Sequence, residues 1–159
     1  FDYEISEEGA DAFLRQRLPA VTFDDLLQPH ERAFGRREFR LLAIEAARLA
    51  NRYERPMTLV QIALPNGGDG RQDIGKAAAD ETNSLIIDLL VEQLRETDFF
   101  TNSAEYELLA VLPETMAEQA RTVFDRFTTR VHEVVADRPH LQIEIIDPKD
   151  AMTIIEGVA

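Results

Sequence analysis

The stretch Leu94–Pro113, LRETDFFTNSAEYELLAVLP, constrains this chain more than any other. It begins on the last turn of an amphipathic helix. It passes into a short strand around Phe99, turns, and returns as an apolar strand over Glu107–Leu112. Asn102 and Ser103 supply the turn chemistry, since short polar side chains bond their own backbone at turns. A helix feeding a hairpin whose second strand is almost wholly apolar asks for a sheet covered by helices.

The rest of the chain can be read around that hairpin. Residues 1–30 form a separate section, expected to be a helical connector or packing arm. Within it, Ser6 with Glu7 and Glu8 opens a helix. Ala10, Phe13, Leu14 and Leu18 then give an apolar stripe that Pro19 ends. Residues 31–159 are expected to be the folded domain. Phe39, Leu42, Ala43, Ala46, Leu49, Ala50 and Tyr53 recur at helical spacing, and Pro56 biases Arg55 to an extended backbone. MTLVQIAL, from Met57 to Leu64, predicts a strand buried on both faces. PNGGDGRQD predicts a loop, and its Asn66–Gly70 portion is a turn despite its chance likeness to a glycine-rich motif. A helix follows from about Lys76 to Glu96, with Leu85, Ile86, Leu89, Leu90 and Leu94 inward. After the hairpin, Pro113-Glu-Thr opens a long helix with the stripe Met116, Ala120, Val123, Phe124, Phe127, Val131 and Val135. Leu141–Ile146 predicts a strand that Asp147-Pro148 breaks, and the apolar tail from Ala151 has no assignment. The order is that of an α+β domain.

Composition excludes several functions. A net charge of −13 opposes nonspecific nucleic-acid binding and docking on anionic lipid. A nucleotide would bind only where arginines cluster against that field. There is no run of 18 apolar residues and no signal-peptide pattern. The absence of cysteine removes disulfides and thiolate metal sites, and fits a reducing cytoplasm, the expected location. Starting at Phe1, the chain is expected to be a piece of a longer protein. His30, His132 and His140 are scattered and form no metal or nucleophile pattern.

From Pro29 to Ile146 the chain resembles the GGDEF domains, the bacterial diguanylate cyclases. Arg36-Arg37-x-Phe39 stands where that family has N-R-R-x-F, and LLAVLPET resembles the family's F-A-x-L-L-P-x-T run. Arg95 and Asp98 match the family's product-binding R-x-x-D, five residues before the signature hairpin. The resemblance implies a nucleotide-cyclase-like fold, a central and mostly antiparallel sheet flanked by helices. The signature itself is degenerate: Ala104, Glu105, Tyr106, Glu107 and Leu108 replace G-G-D/E-E-F. Aligned by its strand, the first metal-binding aspartate becomes Ala63. Two-metal chemistry needs those carboxylates, so the resemblance implies no catalytic residues, no metal and no cofactor.

What the resemblance leaves is ligand binding. Arg95, Asp98 and, from the next helix, Arg126 are implied to grip cyclic di-GMP. An arginine can pair with guanine O6 and N7, while a carboxylate accepts from the guanine N1–H and N2–H edge. The expected function is an inactive GGDEF-like receptor in bacterial signalling that acts on an attached or partner signalling domain, with a homodimer as a further option. The alternative is a ligand-independent dimerisation or docking module. On the residues alone, Arg95 could equally complement the helix dipole and Asp98 could satisfy turn donors, with Arg121, Arg126 and Arg130 in surface ion pairs.

Overall fold

The computed structural model describes residues 33–65, 75–135 and 139–158. The elements run α1 (Arg36–Arg52), β1 (Met57–Ala63), α2 (Gly75–Gln93), β2 (Phe99–Ala104), β3 (Glu107–Pro113), α3 (Ala117–Val134), β4 (Gln142–Ile146) and α4 (Pro148–Glu156). The four strands form one antiparallel sheet in the order β2-β3-β1-β4. This is the α+β architecture of the cyclase-like fold.

The two faces of the sheet carry different cores. Val60 and Ile62 of β1 and Leu108, Ala110 and Leu112 of β3 pack with α2 and α3. Leu59, Leu109 and Val111 point the other way, onto Phe39 and Ala43 of α1 and Ala151 and Ile155 of α4. Period-two alternation thus feeds apolar side chains to both faces, which is why β1 and β3 read as unbroken apolar runs.

Several sequence expectations are corrected. The hairpin does not turn at Asn102 and Ser103. Both belong to β2, Asn102 is 4% exposed, and Ser103 is bulged between the Asn102–Leu108 and Ala104–Glu107 pairs. The chain reverses at Glu105 and Tyr106, where Tyr106 takes a left-handed φ of 58°. Pro113 does not open a helix either. It ends β3, Glu114 turns at φ 53°, and α3 starts at Ala117, with the Gln119 side chain accepting from Met116 N–H at 2.8 Å. Met116 is therefore outside the stripe and 56% exposed.

On α2 the buried face is centred on Asn83, Ile87 and Leu90, so Leu85, half a turn round, is 44% exposed. On α1 only Phe39 and Ala43 are fully buried, while Leu42, Leu49 and Tyr53 lie outside the core. The unassigned tail is α4, with Asp147 as N-cap accepting from Lys149 N–H at 3.0 Å and Pro148 in its first turn. The expected arm, residues 1–30, and the Asn66–Gly70 loop lie outside the described residues.

Candidate functional site

Two groups of sequence-predicted residues occupy opposite ends of the hairpin. At its turn, the β1–β3 register places Ala63 directly across from Glu107. Leu64 N–H donates to Tyr106 O at 2.8 Å, so the end of β1 is stitched to the turn. Ser103 Oγ donates to Glu107 Oε1 at 2.7 Å. Glu105 and Ala104 are exposed, and the Tyr106 side chain packs against the core. A divalent cation needs several hard oxygen donors. Here the methyl of Ala63 and the core-packed Tyr106 offer none, and Glu107 is engaged by Ser103. Among the described residues no three His, Asp or Glu side chains converge to hold a metal. The donor set does not fit a two-metal centre.

At the other end, Arg95 and Asp98 come together where α2 gives way to β2. Asp98 N–H donates to Arg95 O at 3.0 Å, closing a tight turn. The Asp98 carboxylate folds back, accepting from Arg95 N–H at 2.8 Å, from Arg95 Nε at 3.4 Å and from Nη2 at 3.1 Å. Nη2 also donates to Pro113 O at 2.7 Å and to Thr115 Oγ1. Thr115 Oγ1 in turn donates to Pro113 O, and the buried Thr58 hydroxyl fixes Thr115 O. The left-handed turn at Glu114 carries Thr115 back toward Arg95. Two segments distant in sequence thus meet on one guanidinium, and a third, at Thr58, braces the second.

The two members of the clasp differ in exposure. The Asp98 side chain is only 2% exposed, whereas that of Arg95 is 54% exposed. Asp98 does not project to meet a base. Its carboxylate accepts from Arg95 and closes the turn. Arg126 stands exposed on α3. Nine residues into that helix, it lies about 14 Å along the axis from the start beside the clasp. One small group cannot touch both arginines, whereas a ligand with two recognisable ends could. Arg130 pairs loosely with Glu133 at 3.8 Å on the same helix. His132 and His140 are exposed and remote from the clasp, and His30 is outside the described residues.

The sequence reading missed Thr115 and the Pro113 carbonyl. The only available signal was Leu-Pro-Glu-Thr after an apolar strand, which marks a turn without saying what it turns toward.

The sequence matches no known family model and no curated protein. The fold does have solved relatives. The diguanylate cyclase SiaD of Pseudomonas aeruginosa, solved in complex with its activator SiaC, superposes with a TM-score of 0.67 at 16% identity, over 96% of this chain and 61% of that one. The GGDEF domain of PA1120 (TpbB or YfiN), also from Pseudomonas aeruginosa, gives 0.65 at 20% identity over 85% and 87% of the two chains. The coiled coil and GGDEF domain of DgcB from Caulobacter crescentus, in complex with c-di-GMP, gives 0.66 at 13% identity over 94% and 82%. The fold is that of GGDEF domains. This chain spans 61% of the SiaD chain it matches.

Proposed function

We propose that this domain makes no cyclic di-GMP and binds it instead, with Arg95 as the guanine-recognising side chain and Arg126 as a secondary contact. The observation that carries the reading is the Arg95 clasp. A half-exposed guanidinium is held rigidly at the surface by a buried carboxylate, a carbonyl and a threonine, so little side-chain entropy is lost when a ligand arrives. Asp98 acts through Arg95. A bidentate grip on guanine O6 and N7 would use the Nη1 edge together with an Nη2 donor loosened from Thr115 or Pro113. Binding would in this way be coupled to the turn between β3 and α3, a route for signalling to an attached or partner domain. The fold shared with GGDEF domains, among them the DgcB domain solved with c-di-GMP, supports the choice of ligand.

The second reading is a ligand-independent docking module. What favours it is that the Arg95 donors Nε and Nη2 are already engaged within the protein.

Calorimetric titration with cyclic di-GMP separates the two. Binding is expected at micromolar ligand, with Arg95→Ala costing about 1–3 kcal/mol, the range for one bidentate guanine contact, and Arg126→Ala less. Arg95→Lys should behave nearly like Arg95→Ala, because an ammonium cannot fork. No heat at tens of micromolar ligand, or unchanged binding by folded Arg95→Ala, overturns the receptor reading in favour of the docking module.

A further inference from the structure

The chain has three methionines, Met57, Met116 and Met152, far apart in sequence. The fold brings all three to the wall of one cavity of about 730 Å³, between α1, α4 and the start of α3. That wall takes about a tenth of the chain and holds every methionine in it. Met57 opens β1, Met116 stands at the N-cap of α3, and Met152 lies on α4. Met57 and Met152 are half-buried, and Met116 is 56% exposed. Small residues leave the space open: Ala47 and Ala50 of α1 and Ala151 of α4 line it. The volume falls within the range of small-molecule sites, roughly 300–1,000 Å³.

The wall says what chemistry would fit. Thioethers on unbranched chains adapt to the outline of a guest, and their sulfurs gain from contact with an aromatic ring. Three of them around one space favour an aromatic body over an aliphatic one. Much of the polar wall is already engaged. The Thr58 hydroxyl donates to Thr115 O at 2.7 Å, and Arg55 pairs with Glu114 at 2.9 Å. Arg48 and Asn51 line the cavity and are exposed, and Arg48 makes no ion pair among the described residues. A guanidinium only donates, so the group that suits it is an acceptor, best a carboxylate. Glu54 lines the same wall and opposes a second negative charge on the guest. Nucleotides and phosphodiesters are disfavoured on that ground.

We propose that this cavity binds a small aromatic monocarboxylate, its ring among Met57, Met116 and Met152 and its carboxylate at Arg48. The site is separate from the exposed edge of Arg95, although Thr115 lines the cavity and its hydroxyl accepts from Arg95. The proposal does not rest on cyclic di-GMP binding.

Methyl-labelled methionine gives one NMR signal for each of the three residues, and each of them reports on this cavity. Titrating the full chain with naphthoate, an aromatic carboxylate, should move all three signals along one saturation curve. Naphthamide, its uncharged counterpart, should bind about two- to fivefold more weakly, the worth of one exposed charge pair, and Arg48→Gln should erase that difference. Decalin carboxylate, the saturated counterpart, should bind about two- to tenfold more weakly for want of sulfur–ring contacts. Met152→Trp and, separately, Ala47→Leu should fill the space and weaken naphthoate about tenfold or more, with circular dichroism and the remaining methyl signals reporting the fold. No shift at millimolar naphthoate, full binding by both folded filling variants, or equal affinity for naphthoate and either counterpart would each overturn the proposal. So would methyl signals that move with protein concentration and not with naphthoate, since a second copy would then fill the cavity.

Discussion

At the level of single residues, the Arg95 clasp ties an exposed guanidinium to a buried turn. Asp98 is a buried carboxylate whose acceptors are filled by a backbone N–H and a guanidinium. Because Arg95 is half in water, the ion pair itself adds little, and the value lies in satisfying the carboxylate and the turn. Asp98→Ala is therefore expected to lower unfolding free energy by about 1–3 kcal/mol, the cost of stranding hydrogen-bonding groups at a buried turn. Thr115→Val should cost less, since Arg95 retains Pro113 O and Asp98. Urea denaturation monitored by circular dichroism checks both. A midpoint for Asp98→Ala equal to the parent's would mean that the clasp does not organise the turn. Arginine and aspartate three apart were visible in the sequence as a pattern. That the aspartate faces inward was not, because R-x-x-D carries no information about the Pro113–Thr115 turn that closes over it.

Element by element, what could be read from the sequence was periodicity, and what escaped was the exact place of reversal. The apolar stripe of α3, the double-sided burial of β1 and the existence of the hairpin all follow from spacing that burial later enforces. The hairpin turn was misplaced because Asn102 and Ser103 have turn chemistry, yet the apolar run Leu108–Leu112 needs partners, and pairing it with Phe99–Asn102 pushes the reversal out to Tyr106. Left-handed residues are likewise silent in a sequence without glycine at those points. Glu54, just past α1, sits at φ 53° and is exposed. A non-glycine residue there carries about 1–2 kcal/mol of steric cost, partly offset in glycine by backbone entropy. Glu54→Gly is accordingly expected to leave stability unchanged or raise it by up to about 1 kcal/mol, and Glu54→Val to lower it, because a β-branched residue tolerates this region worst. Chemical denaturation midpoints of the two variants, compared side by side, decide it. Glu54→Gly less stable than Glu54→Val would mean that the turn after α1 is not held in this conformation in solution.

Across the whole molecule, the fold is that of GGDEF domains, and the hairpin end of the sheet carries a donor set that does not fit a two-metal centre. The β1–β3 register still brings the end of the first strand to the hairpin turn, the arrangement that would set two carboxylates side by side, but the residues there are Ala63 and the Tyr106–Glu107 pair. A cyclase must hold metals that bridge an attacking hydroxyl and a triphosphate, and this end supplies Glu107, already bonded to Ser103, and the solvent-exposed Glu105 of the turn. Ala104 and Glu105 at this turn are exposed, and side chains there would crowd a nucleotide brought close to the backbone. The protein is therefore expected to release no cyclic di-GMP from GTP and magnesium above a protein-free blank, as followed by chromatography of the products. Ala63→Asp alone should not restore turnover, because it returns one ligand of a set and leaves the crowded turn in place. Turnover in the parent that disappears in Glu107→Ala would mean that a working metal centre can be built around Glu107, and the inactive reading would fail.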